Sequence, residues 1–380
     1  YAQCDDTRLF IFGHSLIDHR PPAIPTPSDE TTVPHWLYLL SQAAGTSFAA
    51  GGQYGFLPQH ANVPPISQWG YDLVPGVWES DTESFGEADI NKVLLTAGNF
   101  MQWQGPDQEY PSDPGITPIS ATETIMDWVN AQEEGVEFYI YENWPDMAPF
   151  ANDAFPPTAE GLADYYAYTR GTWHEWWLAY QDALLASRPA TRVRMIPVGP
   201  ILSGIFTTQL SEEIPVTELY EDNAPHGRPT LYFLASMITY SALCQQPPPA
   251  NFVVPNIVHP VIRDNYAGLA DYIWQELNAF KDSSGNSRVF FTSTHTTKAA
   301  GEHALRLHAY PNPASNQLTI SGWEGEARIS LYDVYGREVL LLPSSEPGVS
   351  LDLSAYAPGS YLLKVQTTDS KPAVLVLVKT

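Results

Sequence analysis

The 380-residue chain has few basic residues, few cysteines and no long apolar run. Lys and Arg together number 18 against 43 Asp and Glu, so the formal net charge is −25. A chain of this charge repels nucleic acids and anionic membranes, and we expect neither as a partner. No stretch approaches the roughly 18 consecutive apolar residues of a membrane helix, and residues 1–6 are polar. We therefore expect a mature, processed protein without a membrane span.

Cysteine occurs only at Cys4 and Cys244, and two thiols in so long a chain do not make a disulfide scaffold. Two interpretations stay open: one bridge that ties the N-terminus to the end of a helix, or two independent buried thiols. His14, Asp18 and His19 lie close together, but their spacing does not place three metal ligands on one face. We expect neither a metal nor a cofactor, and we place Asp18 and His19 at the mouth of a site or at a helix cap.

Short apolar runs alternate with helix-compatible sequence over the first 280 residues or so. The predicted strands are residues 8–12, 92–96, 136–141 and 193–198, and the predicted helices are residues 33–44, 120–134, 159–187, 229–243 and 262–280. Strands that alternate with helices indicate a parallel sheet covered on both faces. We therefore predict a three-layer α/β domain over residues 1–282.

The composition changes after this domain. Residues 283–304 are rich in Ser, Thr and Gly, which is typical of a linker. Over residues 305–380 the hydrophobic period becomes two, with turn signals between short runs, and this pattern predicts a small all-β sandwich of six or seven strands. Residues 1–299 carry 12 basic and 35 acidic side chains, so nearly all of the net charge lies outside the sandwich.

The predicted sandwich contains four motifs in order. They are YPNPA at 310–314, LYDVYGR at 331–337, LSAYAPGSY at 353–361 and LVK at 377–379. With these motifs the segment resembles the C-terminal sorting domain of the type IX secretion system of Bacteroidetes. The resemblance implies the type IX machinery as a partner and a secreted or cell-surface location. A carbohydrate-binding sandwich is the alternative, although Trp323 is the only Trp of the segment.

Ser15 is the candidate nucleophile. It lies in the motif GHSL (13–16), at the C-terminal end of the first predicted strand, where open α/β sheets place their ligand sites. A serine after a glycine is also a common helix N-cap, and its hydroxyl is unreactive until a base takes the proton. His226, flanked by Pro225 and Gly227 just before a predicted helix, is the candidate base.

The block around Ser15 and the block around His226 match the first and last sequence blocks of a known family, and residues 7–280 resemble the SGNH (GDSL-type) hydrolases. The resemblance implies that Ser15 is the nucleophile and that His226 is the base. It also implies an oxyanion hole made by the backbone N–H of Ser15, a glycine N–H and an asparagine side chain. Gly52 is our choice for the glycine, with Gly51 and Gly55 as alternatives, and Asn99 supplies the amide.

The sequence departs from the family pattern at two places. The block around the asparagine usually reads G-x-N-D, but Ala97 and Phe100 occupy its outer positions. The family's acid usually precedes the histidine by three residues, where this chain has Asn223. We favour Asp222 as the acid, while Asn223 or a backbone carbonyl remains an alternative partner for His226.

Asn143 and Trp144 follow another predicted strand end, and we predict that they bind substrate by hydrogen bonding and by stacking on a sugar. The alternative is a buried Trp. The expected function is that of a secreted serine esterase that cleaves acyl esters on a polysaccharide, with acetyl as the favoured acyl group. A lipid or polyester esterase of the same fold is one alternative, and a non-catalytic carbohydrate-binding protein on a degenerate hydrolase fold is the other.

Overall fold

A computed structural model shows two compact units, Tyr1–Thr292 and Ser293–Thr380. The structure describes residues 4, 6–19, 32–65, 70–98, 104–152, 154–210, 213–291, 303–304, 308–310, 312–323, 325–332, 337–344, 348–367, 370–371 and 373–380. Each unit encloses hydrophobic core residues of its own.

A five-stranded parallel sheet forms the centre of the first unit, in the strand order β2-β1-β3-β4-β5. Its strands are β1 (Asp6–Gly13), β2 (Ser47–Tyr54), β3 (Lys92–Leu95), β4 (Glu137–Tyr141) and β5 (Val193–Ile196). The predicted parallel α/β sheet is confirmed. The edge strand β2 was not predicted because its core, FAAGG, lacks the β-branched residues by which strands are recognised.

Eleven α-helices are described in this unit. They are α1 (Val33–Ala44), α2 (Leu57–His60), α3 (Pro118–Gln132), α4 (Ala148–Ala151), α5 (Ala159–Arg170), α6 (Thr172–Ser187), α7 (Val198–Gly204), α8 (Val216–Leu219), α9 (Pro229–Cys244), α10 (Pro260–Asp264) and α11 (Tyr266–Ala279), with a 3₁₀ turn at Phe85–Glu87 and a π turn at Ile205–Gln209. Side chains of α1, α9 and α11 share one core cluster, and those of α3 and α6 share a second. The single helix predicted over residues 159–187 is two helices, α5 and α6, which meet at Gly171.

Helix α9 is buried along its whole length, and its last residue, Cys244, forms a disulfide with Cys4. The bridge resolves the alternative that the sequence left open. It joins the segment before β1 to the end of α9 across a sequence separation of 240 residues. A crosslink over so long a loop removes many conformations from the unfolded chain.

Removing this bridge is expected to lower the free energy of unfolding by about 4 to 5 kcal/mol, because the unfolded chain regains its loop entropy. The measurement is urea denaturation of the wild type, with and without dithiothreitol, beside the Cys4→Ala/Cys244→Ala variant. Dithiothreitol should lower the midpoint of the wild type and leave that of the double variant unchanged. Equal midpoints for wild type and variant would contradict the expectation.

Residues 283–291, which the sequence assigns to the linker, pack on the first unit. Val289 is fully buried and Phe291 is nearly so, both within the α/β core. Arg288 contributes an ion pair, with Nη1 2.7 Å from Oδ1 of Asp182. The boundary between the two units follows Thr292, and composition did not reveal it because the polar residues around Val289 mask a short buried run.

The second unit is built from β-strands. They are β6 (His303–Ala304), β7 (His308–Tyr310), β8 (Gln317–Ser321), β9 (Ala327–Tyr332), β10 (Glu338–Ser344), β11 (Gly348–Asp352), β12 (Gly359–Thr367), β13 (Ser370–Lys371) and β14 (Ala373–Lys379). Antiparallel sheets of order β10-β9-β12-β14 and β11-β8-β7 contribute to one core, and β13 pairs with β6. The predicted all-β tail is confirmed. Trp323 is 4% exposed, so it does not form a sugar platform.

Candidate active site

Polar side chains follow three neighbouring strands of the parallel sheet. Ser15 lies two residues after β1, Thr96 directly follows β3, and Asn143 follows β4 after one residue. Because β1, β3 and β4 are adjacent and parallel, their carboxyl ends lie at one edge of the sheet. Open α/β sheets bind their ligands at this edge.

Ser15, His226 and Asp222 form a continuous hydrogen-bonded chain at this edge. Oγ of Ser15 lies 3.0 Å from Nε2 of His226. Nδ1 of His226 lies 2.8 Å from Oδ2 of Asp222, and the backbone N–H of His226 donates to Oδ1 at 3.1 Å. When Nδ1 carries the proton that Asp222 accepts, Nε2 is left to accept the proton of the Ser15 hydroxyl, as a general base must.

The carboxylate of Asp222, and not the side chain of Asn223, binds the imidazole of His226. Oδ1 of Asn223 is buried and accepts no hydrogen bond from any part of the chain that the structure describes. Burial acts to raise the pKa of Asp222, but the hydrogen bonds from the side chain and backbone of His226 hold the pKa below its ordinary value. Asp222 is therefore a carboxylate at neutral pH.

Backbone hydrogen bonds fix the loop between α8 and α9, which carries these two residues. The N–H of Glu221 donates to the carbonyl of His226 at 2.8 Å, and the N–H of Arg228 donates to the carbonyl of Leu219 at 2.8 Å. Nε1 of Trp144 donates to the carbonyl of Pro225 at 2.8 Å. The loop is thus closed on itself and attached to the segment that follows β4.

The prediction that Asn143 and Trp144 bind substrate is wrong. Asn143 is fully buried and Trp144 is 1% exposed, so neither offers a face to a sugar. Nδ2 of Asn143 donates to the carbonyl of Ala97 at 2.7 Å and to Oγ1 of Thr96 at 2.8 Å. The two residues hold loops of the site together. A Trp after a strand end has the same sequence pattern whether it faces the rim or the core.

His14 joins the turn of Ser15 to the segment that follows β3. Its Nε2 lies 3.0 Å from the carbonyl oxygen of Ala97, and its Nδ1 lies 3.3 Å from the backbone nitrogen of Leu16. These partners fix the neutral tautomer with its proton on Nε2. Burial lowers the pKa of His14 to about 4, so the ring stays neutral at neutral pH. Asn99 follows Ala97 by two residues but lies outside the described residues.

The assignment of Gly52 to the oxyanion hole needs correction. Gly52 lies inside β2 opposite Ile11, which precedes Ser15 by four residues. A Cβ atom at Gly52 would lie 2.3 Å from the carbonyl oxygen of Ile11, so the glycine serves close packing within the sheet. Gly55 follows the strand, but its N–H donates to the carbonyl of Gly13 at 2.9 Å. Within the described residues, the backbone N–H of Ser15 has no acceptor.

Two further residues contact the triad, and sequence reasoning missed both contacts. The imidazole of His19 stacks on that of His226, with ring centroids 3.8 Å apart and planes 10° apart. The hydroxyl of Tyr232, on α9, donates to the carbonyl of Ser15 at 2.7 Å. The recurrence of histidine in GHSLIDH was the signal for His19, whereas nothing in the sequence singled out Tyr232 among 21 tyrosines.

Within the ranges that the structure describes, no group of three His, Cys, Asp or Glu side chains is placed to hold a metal ion. His14, Gln53 and Tyr54 lie together at the ends of β1 and β2, close to the Ser15 turn. Tyr54 lies opposite Gly13 in the sheet and is 48% exposed. The site therefore presents an aromatic side chain to solvent beside the Ser15 turn.

Comparison with protein families identifies the C-terminal unit. Residues 308–379 match the model of the secretion system C-terminal sorting domain. This match confirms the predicted type IX sorting domain, and it indicates export to the cell surface or the extracellular space. In the described part of the chain, no helix combines the length and apolar character that a membrane span requires.

No curated protein matches the chain. Among solved structures, a DUF4886 family protein from Bacteroides uniformis is similar at 12% identity and a TM-score of 0.43, over 75% of this chain and 98% of that protein. A DUF3244 family protein from Bacteroides vulgatus, with an immunoglobulin-like β-sandwich, is similar at 15% identity and a TM-score of 0.17, over 20% of this chain and 96% of that protein.

PorZ, a surface component of the type IX secretion system of Porphyromonas gingivalis, is similar at 20% identity and a TM-score of 0.19. This similarity covers 20% of the present chain and 11% of PorZ, so the chain spans a small part of that protein's length. None of these similarities bears on the activity of the chain.

Proposed function

We propose that the protein is an exported serine esterase of the SGNH (GDSL) type. The observation that carries the proposal is the hydrogen-bonded chain from Ser15 through His226 to Asp222, at the carboxyl edge of a parallel sheet. A serine hydroxyl becomes a useful nucleophile when a base accepts its proton and a carboxylate orients that base. The three side chains meet this requirement without any rearrangement.

In the proposed reaction, Oγ of Ser15 attacks the ester carbonyl carbon while Nε2 of His226 takes the hydroxyl proton. Asp222 stabilises the imidazolium that forms. Collapse of the tetrahedral intermediate breaks the bond to the alcohol oxygen, and His226 returns the proton to that oxygen. His226 then takes a proton from water as the water oxygen attacks the acyl-enzyme, and it returns that proton to Oγ of Ser15 when the acid leaves.

The negative charge of the tetrahedral intermediate needs donors that are already in place. The backbone N–H of Ser15 is one proposed donor. Asn99 remains the proposed second donor, and its support is the anchoring of Ala97 by His14 and Asn143, which holds the preceding residues close to the Ser15 turn. Gly52 has no part in this proposal.

The proposed substrate is an acetyl ester on a neutral polysaccharide. Export brings the protein to polymers outside the cell. The exposed ring of Tyr54 beside the Ser15 turn can stack on a sugar, the role first assigned to Trp144. The charge of −25 makes sulfated or uronate-rich polymers less favourable than neutral ones.

The full chain is therefore expected to release acetate from acetylated xylan faster than it hydrolyses a long-chain p-nitrophenyl ester. Tyr54→Ala should raise KM for acetylated xylan several-fold and leave the turnover of p-nitrophenyl acetate unchanged, because only the polymer reaches the aromatic ring. Acetate release is measured enzymatically, with heat-denatured protein as the control. Preference for the long-chain ester would favour a lipid or polyester esterase, and hydrolysis of no ester would reject the proposal.

A further inference from the structure

A second pair of carboxylate and imidazole lies against the proposed triad. Nε2 of His19 lies 3.3 Å from Oε2 of Glu221, whose side chain is fully buried. The ring of His19 stacks face to face on the ring of His226, with centroids 3.8 Å apart. Two imidazoles in parallel contact, each with its own carboxylate, are more than packing requires, since an apolar ring would fill the same space.

The two pairs share one loop. Glu221 and Asp222 are consecutive residues, and each binds the imidazole of one pair. The backbone N–H of Glu221 also donates to the carbonyl of His226 at 2.8 Å. A shift of this loop would therefore move both carboxylates and the His226 ring together.

The charge on the second pair follows from its surroundings. Burial and the nearby charge of His226 lower the pKa of His19, while Glu221 and Asp222 act in the opposite direction and do not overcome them. His19 is then neutral at neutral pH and donates its Nε2 proton to the Glu221 carboxylate. When Glu221 is ionised, the negative charge of the pair lies on its carboxylate, which is connected to the face of His226 through the ring of His19.

We propose that Glu221 and His19 form a second carboxylate–imidazole dyad, which positions the His226 ring and stabilises the positive charge that His226 acquires when it takes the Ser15 proton. Glu221 and His19 are positioning residues, since they act through His226. Asp222 restrains one edge of the ring by hydrogen bonding, and His19 restrains its face. The catalytic consequence rests on the proposed function, whereas the electrostatic coupling between the two rings does not.

Other ionisable groups also surround the two rings. Asp222 binds His226 directly, and His14 interacts electrostatically with it. Asp18 precedes His19 in the chain, and the hydroxyl of Tyr232 binds the Ser15 carbonyl. None of these groups is altered by the substitution Glu221→Gln, which removes a charge and keeps the shape of the side chain.

The first test is an NMR titration of the imidazoles in the full chain labelled with ¹⁵N-histidine. In Glu221→Gln the His226 ring should titrate at a pH lower by about 0.5 to 1 unit, because a nearby negative charge favours the protonated ring. In His226→Phe, which keeps an aromatic ring in the stack, His19 should titrate at a higher pH by a similar amount. The second variant keeps the test decisive if the first does not fold.

The matched control is Glu218→Gln. Glu218 lies three residues before Glu221 and pairs with a different histidine, His259, at 3.5 Å. The control should leave the titrations of His226 and His19 unchanged. If neither Glu221→Gln nor His226→Phe shifts the partner ring, the dyad is not coupled to His226 and the proposal is overturned.

Kinetics with p-nitrophenyl acetate test the positioning role. His19→Ala should lower kcat about tenfold with KM unchanged, and His19→Phe should recover only part of the loss, because the phenyl ring restores the stack but cannot pair with Glu221. A full kcat in His19→Ala would overturn this role. If the wild type hydrolyses no ester but the two variants show the expected NMR shifts, the proposed function is rejected and the coupling of the two rings stands.

Discussion

Ser15→Ala is expected to lower kcat/KM for p-nitrophenyl acetate by at least about 10⁴-fold, because the acyl-enzyme can no longer form. The variant should keep the fold of the wild type. The Ser15 side chain makes one described hydrogen bond, to Nε2 of His226, and the Tyr232 hydroxyl binds the backbone of residue 15 and not its side chain. The same variant should fail to react with a fluorophosphonate probe that labels the wild type.

Ser187→Ala is the matched control. The Ser187 hydroxyl donates to the carbonyl of Leu184 at the end of α6, at 3.3 Å. This variant should retain full turnover and probe labelling, while circular dichroism verifies that both variants fold. Hydrolysis by Ser15→Ala at the wild-type rate would exclude Ser15 as the nucleophile. A wild type that folds but does not label would favour a carbohydrate-binding protein on a degenerate hydrolase fold.

The central strands and the meeting of Ser15 with His226 could be predicted from local patterns. The strands β1, β3, β4 and β5 are short apolar runs buried on both faces, which is a strong signal in a parallel sheet. A serine after β1 is then at the carboxyl edge by topology alone. His226 could be placed there only through the family resemblance, since 211 residues separate it from Ser15.

The assignments of Gly52 and Trp144 failed for related physical reasons. The sequence did not reveal the strand register of Gly52 or the side-chain orientation of Trp144. Gly52 was assigned to the oxyanion hole without recognition of β2, and that strand places it opposite Ile11 instead of at the strand end. Trp144 was assigned to the rim, but its indole N–H satisfies the carbonyl of Pro225 in the interior. Which way a side chain points after a strand depends on partners that are remote in sequence, such as Pro225. A single sequence does not reveal them.

The stacking of His19 on His226 was beyond sequence reasoning for the same reason. His19 lies four residues after Ser15, and its partner Glu221 lies in the loop before α9. The loop carries three polar residues in succession, Glu221, Asp222 and Asn223, with no local rule that assigns each to a ring. The fold makes the assignment: Glu221 binds His19, Asp222 binds His226, and Oδ1 of Asn223 is buried away from both.

Asp222→Asn is expected to lower kcat about 10³-fold, while Asn223→Ala should stay within about threefold of the wild type. An asparagine at 222 can still accept or donate a hydrogen bond, but it cannot stabilise the imidazolium as a carboxylate does, and its NH₂ group favours the wrong tautomer of His226. Such a loss can reach about 10⁴-fold in a buried triad. The Asp222 side chain is 44% exposed, so water compensates in part, and we expect the smaller loss.

The comparison between the two variants is decisive because they are neighbours in one loop. Asn223 takes part through its backbone carbonyl, which accepts the N–H of Met147 at 2.9 Å, and the alanine keeps that bond. Since the pKa of Asp222 lies below its ordinary value, its carboxylate stays charged well into the acid range. Steady-state kinetics of both variants from pH 5 to pH 9 make the comparison. Full turnover in Asp222→Asn, or a large loss in Asn223→Ala, would contradict the assignment of Asp222 as the residue that orients His226.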